Sequence, residues 1–484
     1  GTPQPITSSA IPFGIGWHSG PEGEQYVVAE PDAAHSWFPS NDHPLDKSTF
    51  TFAITVPNRL SVAANGELVD VDEGATTSTY HWSMQDPMAP YLATIVVGDG
   101  WALIDDPVST EAAGIPIRNF LPPDLAANPP AALASTGEMM RVLERAFGPY
   151  PFDHYGIAVV GGFPAALENQ TLSVFGRTMV ESPYFEYVLV HELAHQWFGD
   201  SVSVAEWSDI WLNEGFATFA ELLWVEELYG PAVYQEEVKN RIEAARVAEY
   251  GPPGTPSPND LFNGSVYQRG SFVLVALRDA VGDDAFFETL RTYAARFSDG
   301  NATTQDFISL AEEISGRDLG ELFSTWLYDE QIRVPLLIRF PDGRHGGRRV
   351  AEADIVPVEE QPVVVDGEHV LLPEVAVARR GHRHVRQLLL APRGFQDLRM
   401  RTGIAPRVLS SRLRQLTSDG FVEQVRSGSR SIYAVTERGR SLEPIIASIA
   451  GWQAPFPTAR IRAMGVRPSA LAFCREAITM PADP

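Results

Sequence analysis

The sequence predicts a multidomain α+β protein, in which an antiparallel β domain precedes a mainly helical domain and a C-terminal segment of helices and a hairpin. The chain of 484 residues exceeds one ordinary domain. The hydrophobic period changes from strand-like to helical near Pro129. Charge also divides the chain, because residues 379–484 hold 18 Arg against 7 acidic residues, whereas residues 1–378 hold 19 basic and 55 acidic residues.

The β domain is predicted over residues 1–112. Short apolar and aromatic runs such as Ser48–Val56 and Tyr91–Val97 alternate there with turn residues. Pro-Asn, Asn-Gly and Asp-Gly pairs separate the runs. This pattern is typical of antiparallel strands joined by tight turns.

Helical spacing dominates residues 113–334, which we assign to one domain. It begins at Ala131–Phe147, and long amphipathic segments continue to about Tyr328. Residues 335–380 are rich in Val, Pro, Glu and Gly and are expected to form a linker or a few strands. The remaining boundaries are predicted at 381–460 for a second helical domain and 461–484 for a tail.

Composition limits the other possibilities. Cys474 is the only cysteine, so an intrachain disulfide and a cysteine-based zinc site are both excluded. No run of about 18 apolar residues predicts a membrane span. We therefore expect a cytoplasmic protein without a membrane partner, although the chain begins with Gly1 and a processed N-terminus stays open.

A metal site is predicted at His191-Glu192-Leu193-Ala194-His195. Residues i and i+4 share a helix face, so both imidazoles can reach one metal. Glu214 follows His195 after 18 intervening residues, in a second helical pattern, and supplies a third ligand. Two His, one Glu and an open position for water form a catalytic Zn²⁺ site rather than a structural one. The alternative is a helix with two hydrogen-bonded histidines and surface glutamates.

Glu192 lies beside the predicted metal and is the candidate general base. Zn²⁺ lowers the pKa of bound water to about 7, and a neighbouring carboxylate can move that proton to a leaving amine.

The segment from His191 to Ala217, with Trp197-Phe198-Gly199-Asp200 and Asn213-Glu214-Gly215, resembles the aminopeptidase N-like zinc metallopeptidases, a gluzincin family. The resemblance covers about residues 15–335 and implies a thermolysin-like catalytic domain with one Zn²⁺ that removes N-terminal residues, the EC 3.4.11 type of hydrolase. Pro164–Gln170 resembles the family's Gly-Ala-Met-Glu-Asn motif, with Ala165 and Leu167 in place of Gly and Met.

The resemblance also implies roles for single residues. Glu168 would bind the substrate's α-amine, and Tyr267 would stabilise the oxyanion as a catalytic residue. Ala165, Ala166 and Asn169 would contact substrate, and Glu30 would lie near the pocket for the first residue. Asp209 and Glu221 would orient the zinc histidines as hydrogen-bond acceptors. Plain solvated carboxylates are the alternative for these last two.

The β domain is short compared with the family and is therefore predicted to be partial and truncated. The long helical C-terminal domain of many members is also absent from the sequence. A missing half-domain would leave an edge strand unpaired, which affects stability more than chemistry.

Residues 385–452 follow the order helix, turn, helix, hairpin, helix and resemble HxlR-type winged helix-turn-helix regulators. The resemblance implies DNA as a partner through a recognition helix and a wing. The candidate DNA contacts are Arg407, Ser410, Ser411, Arg414, Arg426 and Arg430. A structural helical module with solvated arginines is the alternative.

The favoured hypothesis is a zinc aminopeptidase acting on peptides with a free N-terminus, with an appended DNA-binding domain. A second hypothesis is a winged-helix transcriptional regulator whose peptidase-like body senses peptides or is inactive. A third is that two reading frames have been joined. Side-chain preference, oligomeric state and physiological substrate are not predicted.

Overall fold

A computed structural model describes residues 3–330 except 4, 12, 183, 249 and 250, and in the C-terminal part residues 363–365, 368–370, 413–414, 416–417, 420, 422–427, 430–436 and 440. The chain divides into two compact units, 1–347 and 348–484. In these ranges, no helix has the length and apolar character that a bilayer crossing requires.

The N-terminal β domain contains two antiparallel sheets. One has the strand order β1-β2-β3-β8-β5 and the other β4-β7-β6. Phe52 and Val56 alternate with exposed neighbours, and Trp82 alternates with half-buried ones. All three belong to one core, which explains the period-two pattern of the sequence. The predicted antiparallel domain is confirmed. Its strands are β1 (Pro5–Thr7), β2 (Gly14–Ser19), β3 (Gln25–Val28), β4 (Ser48–Pro57), β5 (Leu60–Ala64), β6 (Glu67–Glu73), β7 (Thr77–Met88) and β8 (Ile95–Asp99).

A mixed sheet with the order β12-β13-β11-β10-β9 connects this domain to the helices. Strands β10, β11 and β13 run parallel, and the two outer strands run antiparallel to their neighbours. The two-residue strand β12 therefore lies at an edge of the sheet. The strands are β9 (Ala102–Asp105), β10 (Arg118–Leu121), β11 (Ile157–Val160), β12 (Ala166–Leu167) and β13 (Ser173–Gly176).

The rest of this unit is mainly helical, as predicted. A short parallel pair, β14 (Ser203–Val204) and β15 (Asn301–Ala302), lies among the helices. The helices are α1 (Pro107–Ala113), α2 (Pro123–Ala127), α3 (Thr136–Phe147), α4 (Arg177–Val180), α5 (Phe185–Ala194), α6 (Trp211–Tyr229), α7 (Pro231–Ala248), α8 (Gly270–Val281), α9 (Asp283–Arg296), α10 (Thr304–Ser315) and α11 (Gly320–Tyr328).

Helices α5 and α6 form the centre of this domain. Leu189 and Leu193 of α5 and Phe216 and Phe219 of α6 are fully buried. Both helices are apolar on nearly every face, which is typical of helices enclosed by other elements. Their mutual packing fixes the positions of the polar side chains that they carry into the core.

Helices α6 and α8 cross at two glycines. A Cβ added at Gly215 would lie 2.7 Å from the carbonyl carbon and 2.9 Å from the Cα of Gly270. Only hydrogen atoms fit at this crossing. The close approach brings the N-terminal turn of α6 next to the π-helical turn Ser265–Arg269 that leads into α8.

The β domain is bonded to loops of the helical domain. Lys47 Nζ donates to the carbonyl oxygens of Asp200 and Ser201, at 2.7 and 2.9 Å. Glu24 Oε1 accepts from the amide of Gly161 at 2.8 Å. These bonds hold the loops that follow α5 and precede β12.

The described residues of the second unit form two antiparallel strand pairs and part of a helical segment. Leu413 and Leu416 are helical and buried, and Val422 and Val435 are buried where β18 and β19 pair. This arrangement agrees with the predicted helix and wing. The strands are β16 (Val363–Val365), β17 (Glu368–Val370), β18 (Val422–Ser427) and β19 (Arg430–Val435).

The crossing of α6 and α8 provides a test of the fold. Gly215→Ala should lower the free energy of unfolding by about 1–3 kcal/mol, because the added methyl overlaps backbone that cannot move aside alone. Urea unfolding followed by circular dichroism measures the change. Gly251→Ala is the control, since a Cβ there meets nothing within 4 Å. Equal stability of both variants would contradict the close packing.

Candidate metal centre and substrate site

Helix α5 presents two histidines from its last turn. His191 lies within the helix and His195 is its C-cap residue. Their rings are 4.8 Å apart and nearly perpendicular. Their exposed fractions are 7% and 1%, so both imidazoles are enclosed by protein.

Glu214 completes a set of three donors. It lies in the first turn of α6, and its Oε2 is 3.2 Å from His191 Nε2 and 3.5 Å from His195 Nε2. The three ligand atoms all lie within 4.8 Å of one another. The three donors are two imidazole nitrogens and one carboxylate oxygen, and all are buried. This donor set fits Zn²⁺ and leaves coordination positions for further ligands.

Hydrogen bonds at Nδ1 orient both imidazole rings so that their Nε2 atoms face the Glu214 carboxylate. His191 Nδ1 lies 3.0 Å from Glu221 Oε1. His195 Nδ1 lies 3.1 Å from the carbonyl oxygen of Phe198. Each acceptor favours a proton on Nδ1, which leaves the Nε2 lone pair available for a metal.

The structure corrects the role predicted for Asp209. Its Oδ1 accepts from the hydroxyl of Thr304 at 2.6 Å and from the Thr304 amide at 3.3 Å. Asp209 therefore holds the start of α10, and the Phe198 carbonyl takes the place predicted for it beside a histidine. Glu221 has the predicted contact with His191.

Buried carboxylates make the site strongly electronegative. Burial raises the pKa of Glu192 to about 8. Burial followed by the charges of Glu168 and Glu214 raises the pKa of Glu30 well above its usual range. Burial alone would raise the pKa of Glu214, but His195 and His191 outweigh it and lower the pKa to about 2. A site with this excess of negative charge favours a cation.

The histidines respond to the same charges. Burial opposes protonation of His191, but hydrogen bonds to Glu214 and Glu221 outweigh it and raise its pKa well above the usual value. Burial also opposes protonation of His195, whose pKa is raised by Glu168 and Glu214. A metal that binds the two Nε2 atoms takes the place of these protons.

Glu168 and Glu30 are two further buried carboxylates near the metal donors. The exposed fraction of Glu168 is 2%, and its carboxylate lies within 4.8 Å of the ligand atoms of Glu192 and His195. Glu30 is also buried. Within the described ranges, Oε1 of each glutamate has no hydrogen-bond partner. Two unpartnered carboxylate oxygens in one buried region can receive an ammonium group.

Tyr267 stands on the π-helical turn before α8. Its ring stacks on His191, with centroids 5.9 Å apart and planes 15° from parallel. Burial and the charge of Glu214 raise the pKa of Tyr267 well above its usual range, so the hydroxyl keeps its proton and can donate. Single-turn π-helices are frequent at functional sites.

The predicted substrate-contacting segment lies at and after the edge strand β12. Ala165 and Ala166 are half-buried there. Asn169 is fully buried, and its Nδ2 donates to the carbonyl of Leu92 at 3.0 Å, which joins the β domain to the helical domain. Among the described residues, Asn169 Oδ1 has no hydrogen-bond partner, and a contact of this residue with substrate stays a prediction.

Gln196 is a supporting residue that sequence reasoning missed. Its Nε2 donates to the carbonyl of Glu168 at 3.0 Å, and its Oε1 accepts from the amide of Thr171 at 2.8 Å. The side chain thereby links the end of α5, which carries the two histidines, to the segment that carries Glu168. Its position directly after His195 was the available signal.

Six candidate DNA contacts lie in the second unit. Arg414 is helical and exposed. Arg426 and Arg430 lie in β18 and β19, paired with Ser431 and Ser427, and their side chains fall outside the description. Arg407, Ser410 and Ser411 lie outside the described residues.

Family comparisons agree with this geometry. Residues 131–326 match the peptidase family M1 domain, and residues 21–92 match the peptidase M1 N-terminal domain. A crystal structure of a mutant M1 zinc metallopeptidase from Deinococcus radiodurans, bound to a Tyr-Ser-Ala substrate, is 32% identical with a TM-score of 0.63. The match covers 69% of this chain and 75% of that one. The chain belongs to peptidase family M1.

M1 peptidases from other organisms show the same likeness over part of their length. Aminopeptidase M1 of Arabidopsis thaliana is 27% identical over 64% of this chain, and aminopeptidase N of Streptomyces lividans is 27% identical over 64%. The chain spans 37% and 38% of the lengths of these two relatives. Residues 381–459 match a separate family, the HxlR-like helix-turn-helix.

The donor set can be tested by metal analysis. The purified protein should hold one Zn²⁺ per chain, and Glu214→Ala should lower the bound zinc by at least about 10-fold, because one of three ligands is removed. Elemental analysis after dialysis measures the ratio. Glu192→Gln is the matched control and should retain zinc. Full zinc content in Glu214→Ala would contradict the assignment of the ligands.

Proposed function

We propose that this protein is a zinc-dependent aminopeptidase that hydrolyses N-terminal residues from peptides. The observation that carries the proposal is the location of Glu168, whose carboxylate lies within 4.8 Å of the ligand atoms of Glu192 and His195. Glu30 is buried close enough that the charges of Glu168 and Glu214 raise its pKa. Carboxylates next to a metal centre can bind the α-ammonium group of a peptide. The scissile bond is then held one residue from the chain end.

Each residue has a distinct part in the reaction. Bound zinc would polarise the scissile carbonyl and acidify the attacking water. Glu192 accepts the proton of that water and returns it to the leaving amine. The charge of a bound divalent metal would lower the pKa of Glu192 from about 8, so that Glu192 could act as a base at neutral pH. Tyr267 donates a hydrogen bond to the oxygen that gains negative charge.

The edge strand β12 supplies a means of aligning the peptide. An extended substrate can add to the free edge of the sheet through main-chain hydrogen bonds. Ala165 and Ala166 have small side chains that permit close approach. The Tyr-Ser-Ala substrate of the Deinococcus radiodurans neighbour supports a peptide ligand for this site.

Glu192→Gln should lower kcat for an aminoacyl-naphthylamide by about 100- to 10,000-fold, because the general base is lost. Zinc content should not change. Glu168→Ala should chiefly raise KM for free-amine substrates, since it removes the ammonium partner. Steady-state kinetics on the full chain, with and without chelator, measure both effects.

N-acetylated substrates distinguish an aminopeptidase from other peptidases. Their cleavage should be negligible, because an acetylated nitrogen carries no charge to bind Glu168. Cleavage of acetylated peptides in preference to free-amine ones would exclude the proposal. Inactivity of a zinc-loaded, folded protein toward all peptides would favour a peptide-sensing body instead.

We also propose that the HxlR-like segment binds duplex DNA. The match over residues 381–459 supports this, together with the burial of Leu413 and Leu416 in the helical part and of Val422 and Val435 in the hairpin. Arg414 is exposed on the helical part. With Arg407, Ser410 and Ser411 it would face base edges, while Arg426 and Arg430 would meet phosphates.

Duplex binding by the full chain should weaken steeply with salt, since phosphate contacts release counterions. Fluorescence anisotropy at several salt concentrations measures the slope. Arg414→Ala should weaken binding, whereas Arg296→Ala in the first unit should not. Absence of binding at low salt would remove DNA as a partner.

A further inference from the structure

A line of alternating charges extends outward from one zinc ligand. Glu221 contacts His191 with Oε1 and accepts from Arg241 Nη1 with Oε2, at 2.8 Å. Arg241 Nε in turn donates to Glu237 Oε1 at 3.1 Å. The Arg241 and Glu221 side chains are only 15% and 17% exposed, so water screens this pair weakly.

The two oxygens of Glu221 therefore have separate partners. A carboxylate held at one oxygen can still rotate about its terminal bond, but one held at both has a fixed plane. The rigid guanidinium fork of Arg241 is suited to this, because it donates to two carboxylates in defined directions. The orientation of the His191 ring then follows from the orientation of Glu221.

Helix α7, which carries Arg241, packs beside the elements that form the metal site. It packs against α6, the helix of Glu214 and Glu221, and against the π-helical turn of Tyr267. Arg241 and Glu237 are one turn apart on α7, so the helix itself fixes their spacing. The guanidinium is thus anchored from its own helix before it reaches across to Glu221.

We propose that Arg241 is a positioning residue that orients His191 through Glu221 and thereby strengthens metal binding. This inference rests on the zinc site of the proposed function. An alternative is that Arg241 forms an ordinary ion pair that stabilises the packing of α6 and α7. The two roles differ in what they change, since the alternative affects unfolding but not the affinity for zinc in the folded protein.

The test is zinc affinity of the full chain, measured by competition with a chromophoric chelator. Arg241→Met should weaken zinc binding by about 10-fold, the lower end of the effect of removing an outer-contact residue. Arg241→Lys should recover part of the loss, because an ammonium can reach Glu221 without the second arm of the fork. Arg296→Met is the control, since Arg296 makes a bidentate but exposed pair with Glu313.

A double substitution tests the path. In a Glu221→Gln background, Arg241→Met should weaken zinc binding by less than about twofold further, because its effect passes through Glu221. The absorption spectrum of the Co²⁺-substituted protein should change with Arg241→Met and not with Arg296→Met. Circular dichroism at the assay temperature establishes that each variant is folded.

Unchanged zinc affinity in folded Arg241→Met, or an equal loss in Arg296→Met, would overturn the proposal. If Arg241→Met does not fold, the zinc affinity of Arg241→Lys is the test. Wild-type zinc affinity in Arg241→Lys would show that the geometry of the guanidinium fork is irrelevant. Failure of the wild type to bind zinc would instead overturn the proposed function. Zinc binding without an effect of Arg241 would overturn this inference alone.

Discussion

Burial of negative charge around His191 and His195 is the constraint on which the rest of the site depends. Glu30, Glu168, Glu192 and Glu214 lie in one enclosed region, and burial is the leading influence on the pKa of each. Carboxylates gathered in this way are costly without positive charge nearby. In the proposed function, a divalent ion and the ammonium group of a substrate would both supply it. Binding of metal and binding of substrate would then depend on the same group of buried carboxylates.

The β domain contributes to the site through bonds to backbone. Glu24 holds Gly161, Lys47 holds the turn at Asp200, and Asn65 Nδ2 donates to the carbonyl of Gln170 at 2.7 Å. Each contact fixes a loop next to residues of the candidate site. The β domain therefore supports the segment that carries Glu168, and it also contains Glu30. Because these contacts are made to backbone carbonyl and amide groups, they require no particular residue type in the contacted loop. The sequence of the loop therefore gives little sign of them.

Residues in regular helices were the most predictable part of the site. The i, i+4 spacing of His191 and His195 places both rings on one face, and Glu214 and Glu221 follow on a second helix at the separation of two turns. The partners of His195 and Asp209 were less predictable. A backbone carbonyl, here that of Phe198, has no residue signature, and Thr304 is distant in sequence from Asp209. The contact of Arg241 with Glu221 was not predictable for a similar reason, because it depends on how α7 packs on α6.

The scarcity of lysine has a practical consequence for chemical labelling. Lys47 and Lys239 are the only lysines among 37 basic residues. The ammonium of Lys47 is bonded to two carbonyls, whereas the side chain of Lys239 is 68% exposed on α7. Amine-reactive dyes should therefore couple at Lys239, besides the α-amino group of the chain. A fluorophore on Lys239 would then lie two residues from Arg241 on α7, and its emission would report motion of that helix.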